Sequence, residues 1–304
     1  MEKINKGIVF SNDIEIILKG NNALNFNYEK RGLKIPSSTF IRNLRENFSL
    51  CTNKIFDDVT IISEEEMLKR MDSMVDRYFG DIPIISLDKV YSYCDEKNMM
   101  FLDCTRMSGE NELVSRNDVN NKTSVKNQIN IISKKLKNNE IILLDDVVFS
   151  GNVLKKIIEE FKKNNIEVVG IVSGICTTDS YDYFTKNLKY GVSSGYLLGE
   201  DVIDQICERD FYFGIAQSGI SIRKNNEVYK APYFLPFGDP CERASIPKEY
   251  EQSFSNECIE RSIELWNEIE KNSNKKILIS DLPEKIYNVN DNEEVVKVLK
   301  RSIK

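Results

Sequence analysis

Through the middle of the chain, short apolar runs alternate with stretches whose apolar residues recur every three or four positions. Ile141-Ile142-Leu143-Leu144 is apolar on both faces, the pattern of a buried strand in a parallel sheet. Leu154, Ile157, Ile158 and Phe161 then mark one stripe of an amphipathic helix, and Val168-Val169-Gly170-Ile171-Val172 reads as the next strand. Strand, helix and strand on short links predict a right-handed βαβ unit and a parallel sheet. Upstream, Met99 to Cys104 reads as a strand, Thr105 to about Thr123 as a polar loop, and Val125 to Leu136 as a helix with Ile129, Ile132 and Leu136 inward. Ile82-Pro83-Ile84-Ile85 is a further strand candidate, with proline tolerated in its first residues.

The flanks are less regular. Ile14 to Leu18 reads as a short strand ending at Gly20, and Ser38 to Phe48 as a helix with Phe40, Ile41, Leu44 and Phe48 on one side. Ser63 followed by Glu66 is a capping-box pattern. It opens a helix carrying Met67, Met71, Met74, Val75 and Tyr78 at core spacing and closed by Gly80. Beyond about residue 180 the periodicity fades, and aromatics, Gly and Pro gather between Tyr181 and Pro247. Helices return over about Glu257–Lys271, which holds Trp266, and over Asn288–Lys304. The expected class is α/β: a parallel twisted sheet with helices on both faces, plus N- and C-terminal additions. The expected segments are an N-terminal α/β extension (1–90), a core (91–180) and a C-terminal region (181–304).

Composition narrows the chemistry. The 304 residues carry 42 Lys+Arg against 48 Asp+Glu, a net charge of −6, which does not favour a phosphate-tracking nucleic-acid surface. There is no histidine, so Ser-His-Asp relays, His-ligated metals and HExxH zinc chemistry are excluded. Seven cysteines, Cys51, Cys94, Cys104, Cys176, Cys207, Cys241 and Cys258, form no CxxC pair; an odd, scattered set is expected to be reduced thiols in a cytosol. The start lacks a leader-type apolar segment, and no run approaches the length needed to span a bilayer, so a cytoplasmic protein with no membrane partner is expected. Abundant Lys, Ile and Asn fit an AT-rich bacterial or phage genome.

The segment that carries chemistry is Ile141 to Leu154. A buried strand runs into Asp145-Asp146; a tight loop holds Phe149, Ser150, Gly151 and Asn152; a helix starts there, so its free N–H groups and dipole face the loop. Gly151 lets backbone wrap a bound phosphate, and Ser150 adds a hydroxyl. Two carboxylates beside an anion site are reconciled by sugar hydroxyls or Mg²⁺, and a ribose 5-phosphate satisfies both halves. A plain α/β loop with solvated aspartates, or a receiver-type acidic pocket, are the rival readings of the same residues.

At these residues the chain resembles the type I phosphoribosyltransferases, whose signature is four apolar residues, two acidic, two mostly apolar, one variable, then Ser/Thr-Gly before an apolar helix. The match covers 141–175. It implies the family's fold and Mg²⁺-dependent transfer of a phosphoribosyl group from phosphoribosyl pyrophosphate (PRPP) to a small nitrogen-containing acceptor, as in nucleotide metabolism. It implies that Asp145 and Asp146 hold the ribose hydroxyls and the metal, and that Phe149, Ser150, Gly151, Asn152 and Val153 cradle the 5-phosphate. Two departures stand out: Phe149 occupies the position where purine-using members carry a catalytic acid, and Val153 replaces a frequent Thr.

The family also places a diphosphate loop after an earlier strand, here Thr105, Arg106, Ser108 and Gly109, with Arg106 as the catalytic cation. Glu110 to Thr123, with Arg116 and Lys122, is the candidate lid. The region from Asp204 onward is the candidate hood, with Glu208, Asp210, Tyr212 and Gln217 as acceptor-binding residues. The expectation is thus a phosphoribosyltransferase; the alternatives are a non-catalytic PRPP or nucleotide sensor, or a bacterial anti-phage effector on the same scaffold. A homodimer is left open.

Overall fold

In chain order the elements are β1 (Glu2–Ser11), α1 (Ile14–Lys19), α2 (Ser38–Thr52), β2 (Val59–Ile62), α3 (Glu64–Tyr78), β3 (Ile84–Ser86), β4 (Met99–Phe101), β5 (Thr105–Arg106), β6 (Leu113–Val114), α4 (Val125–Lys135), β7 (Glu140–Val148), α5 (Asn152–Lys163), β8 (Glu167–Thr177), α6 (Thr178–Asn187), β9 (Val192–Cys207), β10 (Ile220–Lys224), β11 (Glu227–Ala231), α7 (Pro240–Ala244), α8 (Glu251–Ser273) and α9 (Val295–Ser302). The computed structural model describes all residues except 21–23, 25, 79–81, 92–98, 107–112, 116–123 and 226. The chain divides into two units: residues 1–6 with 63–202, and residues 7–62 with 203–304. Among the described residues no helix is long and apolar enough to cross a membrane.

The first unit is an α/β layer structure. Its sheet runs β1-β9-β8-β7-β3-β4. The registers β8–β9, β7–β8, β3–β7 and β3–β4 are all parallel. One face buries Ile85, Ile141, Leu143 and Ile171 against Val125, Ile129 and Ile132 of α4 and Leu154, Ile157 and Phe161 of α5. On the other face, Gly174 of β8 sits so close to α3 that a Cβ there would lie 2.8 Å from the Met67 sulfur. The methionine stripe is therefore core, as its spacing predicts, with Met67 and Met71 buried. Ser63 Oγ accepts from the Glu66 N–H (3.2 Å) and starts α3, but the Glu66 carboxylate turns to Arg70 (2.7 Å) instead of closing the box. Gly80, the expected end of α3, lies outside the described residues, as does Cys94.

The second unit pairs residues 8–11 of β1 with β2 in parallel and holds the β10–β11 hairpin. Its core is aromatic: Phe48 of α2, Phe211, and Phe254 of α8 meet with centroids 5.3–6.0 Å apart. Trp266 is fully buried and its indole N–H donates to the Phe213 carbonyl (2.7 Å).

Two expectations fail locally. Ile14 to Leu18 is the helix α1, not a strand: the buried residues are Ile14, Ile17 and Leu18, a helical stripe too short to separate from alternation in sequence. Residues 192–207, read as irregular, form the sixteen-residue strand β9.

Candidate functional site

The strand order places a site before any residue is named. From β3 the chain moves outward to β4, then returns to the opposite side of β3 as β7 and continues outward through β8 and β9. Between β3 and β7 the winding reverses, and ligands of open parallel sheets bind outside the carboxyl ends of strands at such a point. A cleft of about 360 Å³ lies there. It is lined by Leu87 beyond β3, Cys104 and Thr105 beyond β4, and Asp145 to Leu154 from β7 through the start of α5.

Two carboxylates enter the cleft from β7, which runs on past the apolar run to Val148. Asp146 is 9% exposed and Asp145 half-buried. Each leans on local backbone: Asp145 Oδ1 accepts from the Asp146 N–H (3.1 Å) and Asp146 Oδ1 from the Val147 N–H (2.8 Å). Carboxylates that already accept N–H bonds keep further lone pairs for hydroxyls or a hard cation.

The loop after β7 is held from outside itself. The Phe149 carbonyl accepts from Thr177 Oγ1 (2.6 Å) and Ser180 Oγ (2.7 Å), at the junction of β8 and α6. Thr177 also caps α6, accepting from the Ser180 N–H. Gly151 is the N-cap of α5 with φ +65°, and a Cβ there would lie 2.7 Å from the Phe184 ring. Only glycine fits that conformation and that gap. The first turn of α5, Asn152 to Leu154, lines the cleft, and the N-terminal N–H groups and the positive end of the helix dipole belong to that turn.

The opposite wall is set by α4. Gln128 clamps the Asp103 backbone, accepting from its N–H (2.8 Å) and donating to its carbonyl (2.9 Å), and so fixes where Cys104 and Thr105 emerge. Lys89, nearly buried, lies 3.8 Å from the Asp103 carboxylate. No family model, no curated protein and no solved structure matches this chain.

The fold gathers Asp145, Asp146, Phe149, Ser150, Gly151, Asn152, Val153 and Thr105 around one cleft. Arg106 follows Thr105 in β5, paired with β6 through Leu113. Ser108, Gly109, Arg116 and Lys122 lie outside the described residues. Leu87 was not foreseen; its signal was present, since the apolar run 82–85 ends in polar residues just as the run 141–144 does.

The four residues expected to read an acceptor belong to the second unit and are engaged within it. Glu208, 1% exposed, accepts from the backbone N–H groups of Asp13 (3.1 Å) and Ile14 (3.3 Å) and from Arg45 Nε (2.9 Å). Asp210 accepts from the Gly219 N–H (2.7 Å). Gln217 is buried at φ +61°. Tyr212 is fully enclosed, which pushes its hydroxyl pKa up. Nearby, Arg209 pairs with buried Asp13 (2.8 Å). The described cysteines are all free thiols, and burial pushes Cys176 up to about 12.

Proposed function

We propose that the cleft binds a 5-phosphoribosyl diphosphate and transfers its phosphoribosyl group to a nitrogen nucleophile. The observation that carries this reading is the convergence, at one switch-point cleft, of paired acids and a glycine-capped helix N-terminus. Asp145 and Asp146 accept hydrogen bonds from the ribose hydroxyls. Ser150 and the N–H groups at the start of α5 hold the 5-phosphate. In the reaction the bond from the anomeric carbon to the diphosphate breaks, with its electron pair leaving on the diphosphate. A bond from the acceptor nitrogen forms, and the displaced proton passes to solvent. Such a step rests on positioning and charge stabilisation more than on a strong base, so the absence of histidine is no obstacle.

The donor set suits Mg²⁺, since two hard carboxylates reach one cleft and this ion is commonly held by one or two carboxylates with substrate phosphates. Bound there, it would neutralise charge on the leaving diphosphate. Arg106 is the proposed protein cation for the same group.

One observation favours a second reading. Phe149 puts a phenyl ring, 40% exposed, where purine-using members of the resembled family carry a catalytic acid. A chain so built can hold the donor without turning it over. The test is incubation with PRPP, Mg²⁺ and a panel of bases. Diphosphate release supports transfer, and tight binding of intact donor supports the sensor. The double variant Asp145→Asn, Asp146→Asn should lose donor binding at least a hundredfold while its urea midpoint stays near wild type; retained affinity would refute the site.

A further inference from the structure

A single atom ties the loop after β7 to the rest of its unit. The Phe149 carbonyl oxygen offers two lone pairs, and two hydroxyls donate to it, Thr177 Oγ1 at 2.6 Å and Ser180 Oγ at 2.7 Å. Both distances sit at the short end for hydroxyl donors. Thr177, Ser180 and Phe184 follow one another at the three- and four-residue spacing of one helix face. Ser180 and Phe184 are also the groups nearest the space beside Gly151. The wall of the donor cleft includes neither Thr177 nor Ser180, so the Phe149 carbonyl is directed at the β8–α6 junction and not at a ligand in the cleft.

The direction of one carbonyl fixes that of the next N–H. Among the described residues the cis peptide bond is Leu235–Pro236, so the Phe149–Ser150 peptide is trans and planar, with its C=O and N–H antiparallel. With the carbonyl turned to the junction, the Ser150 N–H is turned to the opposite side of the loop. Ser150 itself is part of the cleft wall, next to the first turn of α5. Two donors on one carbonyl also polarise its peptide, which makes the N–H a stronger donor to an anion.

We propose that Thr177 and Ser180 are positioning residues for the donor's 5-phosphate, acting through the Phe149–Ser150 peptide to aim and strengthen the Ser150 N–H. The inference rests on the donor reading above and adds to it two residues outside the segment 141–154. Neither hydroxyl touches the phosphate. They hold the peptide in place before the anion arrives, so less ordering is left to the binding step. Thr177 does two things at once: its oxygen accepts from the Ser180 N–H (3.4 Å) while its proton goes to the Phe149 carbonyl. Serine at 177 would keep both bonds, and valine would keep the shape and lose them.

Ribose 5-phosphate is the probe, titrated into the full chain by calorimetry and followed by amide NMR on labelled protein. In the wild type the Ser150 amide proton should move downfield on binding, as a hydrogen bond to phosphate requires. Ser180→Ala should weaken binding about threefold to tenfold, the worth of one neutral hydrogen bond. Thr177→Val combined with Ser180→Ala should weaken it by about tenfold or more and shrink the Ser150 shift, whereas Thr177→Ser should stay within about twofold of wild type. A general loss of structure would not single out the Ser150 amide or be rescued by Thr177→Ser. If ribose 5-phosphate binds the wild type but the Ser150 amide does not respond, or if the double variant binds as well as wild type, the positioning role is wrong and the donor site stands. The wild-type amide response decides the matter even if the double variant fails to fold. If ribose 5-phosphate does not bind the wild type at millimolar concentration, both readings fall.

Discussion

Gly151→Ala is the perturbation that bears most directly on the loop. Two separable costs arise. An L-residue held at φ +65° costs about 1–2 kcal/mol relative to glycine. The new methyl group would sit 2.7 Å from Phe184 Cε2, 3.2 Å from its Cζ and 3.2 Å from Ser180 Oγ, and relief of such overpacking costs about 1–3 kcal/mol. Together they predict destabilisation of about 2–5 kcal/mol. Far-UV circular dichroism in urea, with hydrogen exchange at the β7 and β8 amides, reads the unit that carries the loop. Combining Gly151→Ala with Phe184→Leu should recover the steric share, giving a coupling energy of about 1–3 kcal/mol, while the backbone share persists. A single-variant loss below about 0.5 kcal/mol, or no coupling in the cycle, would refute the account of why glycine stands there.

Glu208→Ala should cost about 3–5 kcal/mol in urea unfolding, because Arg45 and two backbone N–H groups lose a buried acceptor; a loss under 1 kcal/mol would contradict the geometry. Burial holds the Asp204 pKa above its usual value, against hydrogen bonds from Ser245 and Gln205. A raised folded-state pKa means that its contribution is most favourable below the unfolded value and fades as pH rises through the folded one. Asp204→Asn should therefore gain stability over wild type between pH 3 and pH 7, and a flat difference would overturn this. Cys176, fully buried with its pKa pushed up to about 12, should resist iodoacetamide at pH 8 in the native protein and react completely once unfolded, as peptide mass spectrometry would show.

What could be read from sequence followed from local pattern. The run 141–144 is apolar on both faces because β7 lies between β3 and β8, and its continuation into two acids marks the carboxyl end where ligands bind. The helix stripes of α3, α4 and α5 were equally plain, since their buried residues recur at helical spacing. β9 was hidden because Gly195, Gly199, Glu200 and Asp201 interrupt its apolar pattern. Gly199 is there for a tertiary reason, as a Cβ would lie 3.2 Å from the Asn5 backbone, and such a demand leaves no local signature. β1 was masked by its charged opening residues and by Gly7, which has φ +83° and no room for a Cβ beside Asp58. The aromatic and acidic residues of 204–217 looked like a binding surface in sequence because burial cannot be read from residue type alone: Glu208 and Tyr212 are interior groups.

The hydroxyls of Thr177 and Ser180 that grip the Phe149 carbonyl lie 28 and 31 residues beyond it in the chain. The cradle's shape is thus specified partly by a strand and a helix that carry none of its recognisable signature. Grafting residues 141–153 alone onto another βαβ scaffold would transfer the letters without the curvature, whereas a graft extended through Ser180 would bring its own fastening with it.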